Sequence, residues 1–453
     1  MPVSAARRAA YEVVRRVRER EAYGPQVLDQ VLSGAGLSAG DAAFATRLAR
    51  GTLASLGTLD EALDRFLAKP SAVEPQVRDA LRVAAYELLF ARTPERAAVH
   101  QGVEAVRRVR PQAAGLANAV LRRLAEARDT FPWGDSDTDV AALARATAHP
   151  LWLTERLVEE RGPDVARAVL EADNEPAPLY LWHNPFAGSE PDALAALIAD
   201  GAEPVPGPLP GSLHALSAAA AVRGRAIASG LVLVTDAAAQ LPARALSPRP
   251  GGLVVDLAAG RGTKTGEIQA LAVARGGAAR LLALDVHPFK TALLAERMAQ
   301  LGVPGVVAAT ADALDLGSLR SALGGEQADA VLVDAPCSGS GALRRHPEKR
   351  WRLAEADIPR LAGLQRAMLE NAAWLVRPGG LVVYSTCSIL RGENDEVVSS
   401  FLAGERGAAF RVRSVAGTVP ADWASFVTSE GYFQSMPAAG GPDGHFVAVL
   451  EQG

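Results

Sequence analysis

Cysteine is nearly absent: Cys337 and Cys387 are the two in 453 residues. This excludes a disulfide scaffold and fits a reducing, cytoplasmic compartment. It also leaves two lone thiols that each need a reason. Lysine is scarce, four against 43 arginines, a bias that matches GC-rich coding better than a need for the guanidinium fork. No uninterrupted apolar run reaches the roughly 18 residues of a membrane span, so no partnership with a membrane is expected. Internal repeats and low-complexity tracts are missing, which removes solenoids and arrays. The arginines at 7, 8, 15, 16, 18 and 20 suggest a transit peptide, but Glu12, Glu19 and Glu21 interrupt the basic face, and a folded first helix is expected instead.

What is present is ordinary globular material, 49% hydrophobic and 22% charged, in a chain long enough for two or three domains. The net charge of −4 hides an asymmetry, because residues 1–129 carry 20 Arg and Lys against 15 Asp and Glu. A basic half is compatible with nucleic acid, although a mild basic excess is also common on solvated helices.

From Ala5 to about Arg128 apolar residues recur at helical spacing, as in Val13, Val14 and Val17 and again in Leu81, Val83, Ala84, Leu88 and Leu89. An all-helical bundle over 1–130 is predicted, with Ser38 and Thr93 placed to cap helix starts. Turn formers and acids collect between Asp129 and Asp139, the composition of a linker. Residues 140–230 read as a small α/β module with one strand, Leu179–Trp182, and a proline-glycine loop from Pro204 to Gly211. From 231 to 453 apolar β-rich runs alternate with helical stretches, the signature of a parallel sheet in a Rossmann-like α/β domain. The expected strands are Leu253–Val255, Leu281–Leu284, Val306–Ala309, Ala330–Val333, Leu381–Tyr384 and Phe446–Leu450.

The first of these strands runs into Asp256-Leu-Ala-Ala-Gly-Arg-Gly-Thr-Lys264. Gly260 and Gly262 let a ligand approach the backbone, and the helix that follows offers unpaired amides. Asp285 ends the next strand, where a carboxylate accepts ribose hydroxyls, and Asp312 follows the third. A Walker A loop would need glycine where Thr263 stands, and the dinucleotide fingerprint a third glycine at Thr265. The pattern points to an adenosine-containing cofactor, against the plain alternative of a tight strand-to-helix turn.

Both cysteines follow strands of this same sheet, in Asp334-Ala-Pro-Cys337-Ser-Gly and Ser385-Thr-Cys387-Ser. An isolated cysteine is usually a small buried hydrophobe; two at adjacent strand ends suggest one crevice. A thiolate added to carbon 6 of cytosine makes carbon 5 nucleophilic enough to take a methyl group. The addition needs a donor near ring nitrogen 3, and Asp334 serves if a water-poor pocket retains its proton. Downstream, Arg344, Arg345, Lys349 and Arg350 beside Trp351 offer phosphate contacts and a stacking ring, or else a solvated loop.

Asp-Ala-Pro-Cys-Ser-Gly-Ser-Gly at 334–341, Arg-Arg-His-Pro at 344–347 and Ser-Thr-Cys-Ser at 385–388 resemble the two cysteine motifs of the RsmB (Sun/Fmu) group of bacterial RNA cytosine-C5 methyltransferases. Arg82–Phe90 and Asn118–Arg122 are similar to the NusB-like RNA-binding domain of that group. The resemblance spans essentially the whole chain. It implies S-adenosylmethionine as cofactor, held by residues 258–264 (Ala258, Ala259, Gly260, Arg261, Gly262, Thr263 and Lys264), Asp285, Asp312 and Asp334. It implies Cys387 as the attacking thiol and Cys337 as the group assisting product release, with RNA, from the small ribosomal subunit, as the partner. Separately, a monomer without a metal is expected. Transfer RNA as substrate, and a non-catalytic RNA-binding protein, are the alternatives. Relatives carry Cys-Ala-Ala-Pro-Gly-Gly-Lys where this chain has Ala258 to Lys264, and an aromatic where His445 stands; His445 is expected to be a packed surface ring without a role.

Overall fold

The computed structural model describes residues 2–20 and 24–453; Glu21, one of the acids weighed above, lies outside the described residues. Two compact units emerge. The first comprises residues 1–174 together with Leu343–Glu355, and the second comprises Glu175–Ala342 and Ala356–Gly453.

The first unit is helical. Helix Ala5–Arg20 buries Ala6, Ala9, Ala10, Val13, Val14 and Val17, an i, i+3, i+4 stripe, and leaves its arginines outward. Arg7 forks onto Glu87 at 2.6 and 2.8 Å, and Arg18 reaches Asp79 at 2.7 Å. Several N-terminal cations are thus paired within the bundle. Ser38 caps helix Ala39–Ala54 by accepting from the Asp41 amide. Thr93 does not cap: helix Glu95–Val109 starts from Pro94, and the Thr93 amide donates to Glu87. Helices Pro75–Leu89, Glu95–Val109 and Ala114–Ala127 share one core, built from Leu81, Ala84, Leu88, Val106, Leu121 and Leu124 among others. Three further helices, Val140–Thr147, Leu151–Arg161 and Pro163–Ala172, belong to this unit, so the stretch expected as one module over 140–230 is divided at Asn174.

The second unit opens with an antiparallel sheet of β1 (Leu179–His183), β2 (Pro204–Pro206), β3 (Ser212–Ala215) and β4 (Val232–Val234) in the order β2-β3-β1-β4. The segment expected to be a proline-glycine loop supplies β2. A strand bounded by two prolines is tolerated there because an edge position leaves one row of amides unpaired. The main sheet contains β5 (Leu253–Asp256), β6 (Arg280–Asp285), β7 (Val306–Thr310), β8 (Ala328–Asp334), β9 (Val376–Thr386), β10 (Phe410–Arg413) and β12 (His445–Gln452) in the order β10-β12-β9-β8-β5-β6-β7, with β11 (Phe433–Ser435) beside β12. The strands β5 to β9 are parallel, and β12 runs antiparallel to β9. All six expected strands are present. The short β10 and β11 were not foreseen. Hydrophobic cores lie on both faces, one around Leu284, Val331, Met368 and Phe401 and the other around Val254, Ile268, Leu332 and Trp423. Strands buried on both faces read as continuous apolar runs, which is why they were visible in the sequence.

Candidate active site

Strand order reverses at β5, whose neighbours are β6 on one side and β8 on the other. In doubly wound sheets the crevice beyond the carboxyl ends at such a point is where ligands bind. Every expected cofactor residue lies at these strand ends. Gly260 and Gly262 adopt φ of +55° and +76°, and helix Thr263–Val273 starts directly after Gly262. A Cβ at Gly262 would stand 2.9 Å from the flexible end of Met298, which can yield, so it is the left-handed backbone that calls for glycine there. Ala258, Ala259 and Thr263 are half-buried and Arg261 is exposed. Asp285 is buried at the end of β6 and accepts from the His287 amide at 3.0 Å, with Lys290 Nζ 3.7 Å from its other oxygen. Asp312, exposed, caps its own turn through the Leu314 amide. Asp256 is buried, takes a hydrogen bond from Thr265 at 2.7 Å and leaves its other oxygen without a partner. Burial pushes Asp256 up to about 7, the Thr265 hydrogen bond opposing it. Helix amides, small residues and successive strand-end carboxylates suit the ribose, amine and carboxylate groups of S-adenosylmethionine.

The thiols meet. Cys337 Sγ and Cys387 Sγ are 3.3 Å apart, and both residues are partly exposed. Contact with Cys387, aided by burial, pushes the Cys337 thiol well up. The ammonium of Lys264 donates to Asp334 Oδ2 at 2.7 Å. Burial alone would lower this amine, but Asp334 outweighs it and holds the amine above its ordinary value, with Cys387 also contributing. A nearby fixed cation favours thiolate over thiol. Asp334 departs from expectation. Burial would raise it, yet Lys264 and the Ser385 hydroxyl, which donates to Oδ1 at 3.0 Å, keep it below the usual carboxylate range. It is an ionised acceptor, not an acid with a retained proton.

A carboxylate the sequence reading did not single out fastens the two cysteine loops. Buried Glu393 accepts from the Ser338 amide at 2.8 Å and from Gln365 Nε2 at 3.0 Å, and its second oxygen accepts from Ser388 Oγ at 2.6 Å. Ser338 follows Cys337 and Ser388 follows Cys387, so one side chain fixes both loops. Ser340 Oγ, 3.0 Å from Ser388 Oγ, adds a second tie.

A protein-family model described as 16S rRNA methyltransferase RsmB/F matches residues 243–451, and a NusB family model matches 4–126. A Bacillus subtilis protein named probable ribosomal RNA small subunit methyltransferase B is 32% identical over 455 residues, covering 100% of both chains. Ribosomal RNA small subunit methyltransferase B of Erwinia tasmaniensis is 32% identical over 430 residues, 94% of each. The chain belongs to the RsmB/F family. It is therefore a SAM-dependent RNA cytosine-5 methyltransferase carrying an N-terminal NusB domain. Among solved structures, the crystal structure of PH0851 matches with a TM-score of 0.81 at 25% identity over 100% of both chains. NSun6 from Pyrococcus horikoshii, covering 67% of this chain and 98% of its own at 18% identity and a TM-score of 0.56, shares the fold.

Two expectations beyond the family's cysteines change. His445 is not a surface ring: it is buried, and its Nε2 lies 3.0 Å from Ser385 Oγ, so it extends the chain Lys264–Asp334–Ser385 by one member. Burial pushes it down to about 4, and it is neutral near pH 7. Of the four cations assigned to RNA phosphates, Lys349 is exposed and Arg345 half-buried, while Arg344 and Arg350 are buried. Arg350 Nη1 donates to the Ala148 carbonyl at 3.0 Å and to Asn174 Oδ1 at 2.9 Å, and Nη2 to the Asp173 carbonyl at 3.1 Å. Trp351 donates to the Ala54 carbonyl at 2.7 Å and its ring packs on Gly57. These residues anchor segment 343–355 in the helical unit; a guanidinium so enclosed does not reach a phosphate. Among the described residues no cluster of His, Cys, Asp and Glu is arranged to hold a metal ion, and no helix is long and apolar enough to cross a membrane.

Proposed function

We propose that this enzyme methylates carbon 5 of a cytosine in small-subunit ribosomal RNA through a covalent adduct on Cys387. The 3.3 Å apposition of two thiols beside the Lys264–Asp334 pair is the observation that supports this chemistry. The names of the full-length relatives support the substrate. Cys387, as the thiolate favoured by Lys264, adds to carbon 6, and the displaced electron pair makes carbon 5 nucleophilic. S-adenosylmethionine supplies the electrophilic methyl carbon and leaves as the neutral thioether. Asp334, held ionised, accepts from the cytosine amino group, and Lys264 is the donor that offsets negative charge developing on the ring. Cys337 is held as a thiol chiefly by its contact with Cys387. Once Cys387 is bonded to carbon 6 that constraint is lifted and Cys337 releases its own proton to solvent. Its thiolate takes the carbon 5 proton while the C–H electron pair re-forms the ring double bond and expels the Cys387 thiolate.

The assignment of the thiols is tested by incubating each alanine variant with methyl donor and RNA, then running a denaturing gel. Cys337→Ala is expected to accumulate a covalent protein–RNA adduct and Cys387→Ala to form none; the reverse pattern would exchange the two roles.

A further inference from the structure

On the catalytic unit, away from the thiols, a cavity of about 340 Å³ opens between helix Leu241–Ala245, the end of helix Thr263–Val273 and strands β10 and β12. Arg244, Arg275 and Arg413 line it together with Ser247 and Ser414, and no acidic residue is among the described residues of its wall. Arg275 Nη1 donates to the Pro248 carbonyl at 2.8 Å, and Arg244 donates to the carbonyl of Pro210. Neutral carbonyls orient these guanidiniums without cancelling their charge, and other donors of each fork stay available. Burial lowers Arg244, with Glu267 opposing. Glu267 is itself pushed up to about 8 by burial, so near pH 7 it is mostly protonated and a weak counter-charge. Three arginines thus line one concavity without a carboxylate among the described residues of its wall, and the fork geometry suits phosphate.

The cavity's place on the sheet relates it to the crevice. Arg413 pairs with Val449 across the β10–β12 ladder, and His445, four residues earlier on the same face of β12, contacts Ser385 in the active site. Four residues of strand span roughly 13 Å. A separation of that order is bridged by a short stretch of nucleic-acid backbone.

We propose that this cavity holds a backbone phosphodiester of the substrate RNA a few nucleotides from the target cytosine. The inference rests on the reading of the crevice as an RNA-methylating site. It assigns Arg275 and Arg413 to substrate affinity and not to chemistry. Both are exposed, so their replacement leaves the fold intact.

The test is equilibrium binding of the full chain to unmodified small-subunit ribosomal RNA between about 50 and 200 mM salt. Wild type is compared with R275Q/R413Q, and methylation of the same RNA is followed in parallel. The double variant is expected to bind about tenfold more weakly at the lowest salt, with the plot of log affinity against log salt shallower by about one to two and binding of S-adenosylmethionine unchanged. R275K/R413K keeps the charges and is expected to retain most of the wild-type slope. A wild-type slope in R275Q/R413Q while the wild-type protein methylates the RNA would overturn the cavity's role and leave the enzyme reading standing; an RNA that wild type does not methylate would count against that reading instead. Thermal stabilisation by inorganic phosphate that is lost in R275Q/R413Q, with RNA binding unaffected, would make this a site for a small oxyanion and overturn the RNA assignment.

Discussion

At the scale of single residues the candidate active site is a chain of charge and hydrogen bonds ending in a histidine. Lys264, Asp334, Ser385 and His445 are linked at 2.7, 3.0 and 3.0 Å. Because Ser385 donates to Asp334, the His445 ring supplies Nε2–H to the Ser385 oxygen, and burial keeps its other nitrogen unprotonated near pH 7. Its pKa, ordinarily 6.5, falls to about 4 in the folded state. The unfolded chain therefore takes up a proton on this ring near pH 6.5 and the folded chain does not until about pH 4. The stability contributed by neutral burial is full above pH 6.5 and is lost as pH falls toward 4, by at most roughly 3 kcal/mol. His445→Phe is expected to flatten the loss of stability over that window, measured as denaturation midpoints against pH; an unchanged slope would mean that the ring is already charged in the folded state. The sequence offered no signal for this, since a histidine near a chain end looks the same whether packed or solvated. The cysteines were legible because two motifs with distinctive neighbours flank them.

At the scale of elements, the loops after β8 and β9 bring the thiols together, and Glu393 joins those loops. It lies in the turn Arg391–Glu393, and its role depends on three partners that are 55, 28 and 5 residues away in sequence. No local pattern encodes such contacts, so the sequence concealed it. Removing the carboxylate takes the acceptor from the Ser338 amide and one acceptor each from Gln365, which keeps the Pro336 carbonyl, and Ser388, which keeps Ser340, at about 1–3 kcal/mol for each group left unsatisfied. Glu393→Ala is expected to lower turnover at least tenfold while S-adenosylmethionine affinity stays near wild type, because the hydrogen bonds of Glu393 run to the two cysteine loops and Gln365 and not to the proposed cofactor loop after β5. Equal losses of both, measured by single-turnover kinetics and calorimetry, would show general unfolding instead. The parallel strands were legible for a local reason, their continuous runs of Val, Leu and Ala. Strands β2, β10 and β11, of three or four residues each, were too short to stand out from turns.

At the scale of the whole molecule, the helical unit is completed by residues that come from the catalytic half of the sequence. Segment 343–355 begins six residues after Cys337 and is counted with residues 1–174. Arg350 is its deepest group, fully buried, its pKa brought down to about 10 by burial with Asp173 opposing. A basic, tryptophan-containing segment has the same composition whether it grips RNA or plugs a bundle, which is why the sequence suggested the first and the structure shows the second for Arg350. Breaking a buried charge's hydrogen bonds costs about 3–5 kcal/mol. Arg350→Met removes the donor to the carbonyls of Ala148 and Asp173 and is expected to lower the melting temperature by several degrees, whereas Lys349→Met, at an exposed position, leaves it within about 1 °C. Similar melting points for the two variants would contradict the anchoring role.

The most direct test of the central claim is transfer of labelled methyl from S-adenosylmethionine to unmodified small-subunit ribosomal RNA by the wild-type protein and by Cys387→Ala, with digestion to nucleosides and mass analysis. Labelled 5-methylcytidine is expected from wild type and none from the variant. Label in any other nucleoside, label with transfer RNA but not ribosomal RNA, or 5-methylcytidine formed without Cys387 would contradict the claim.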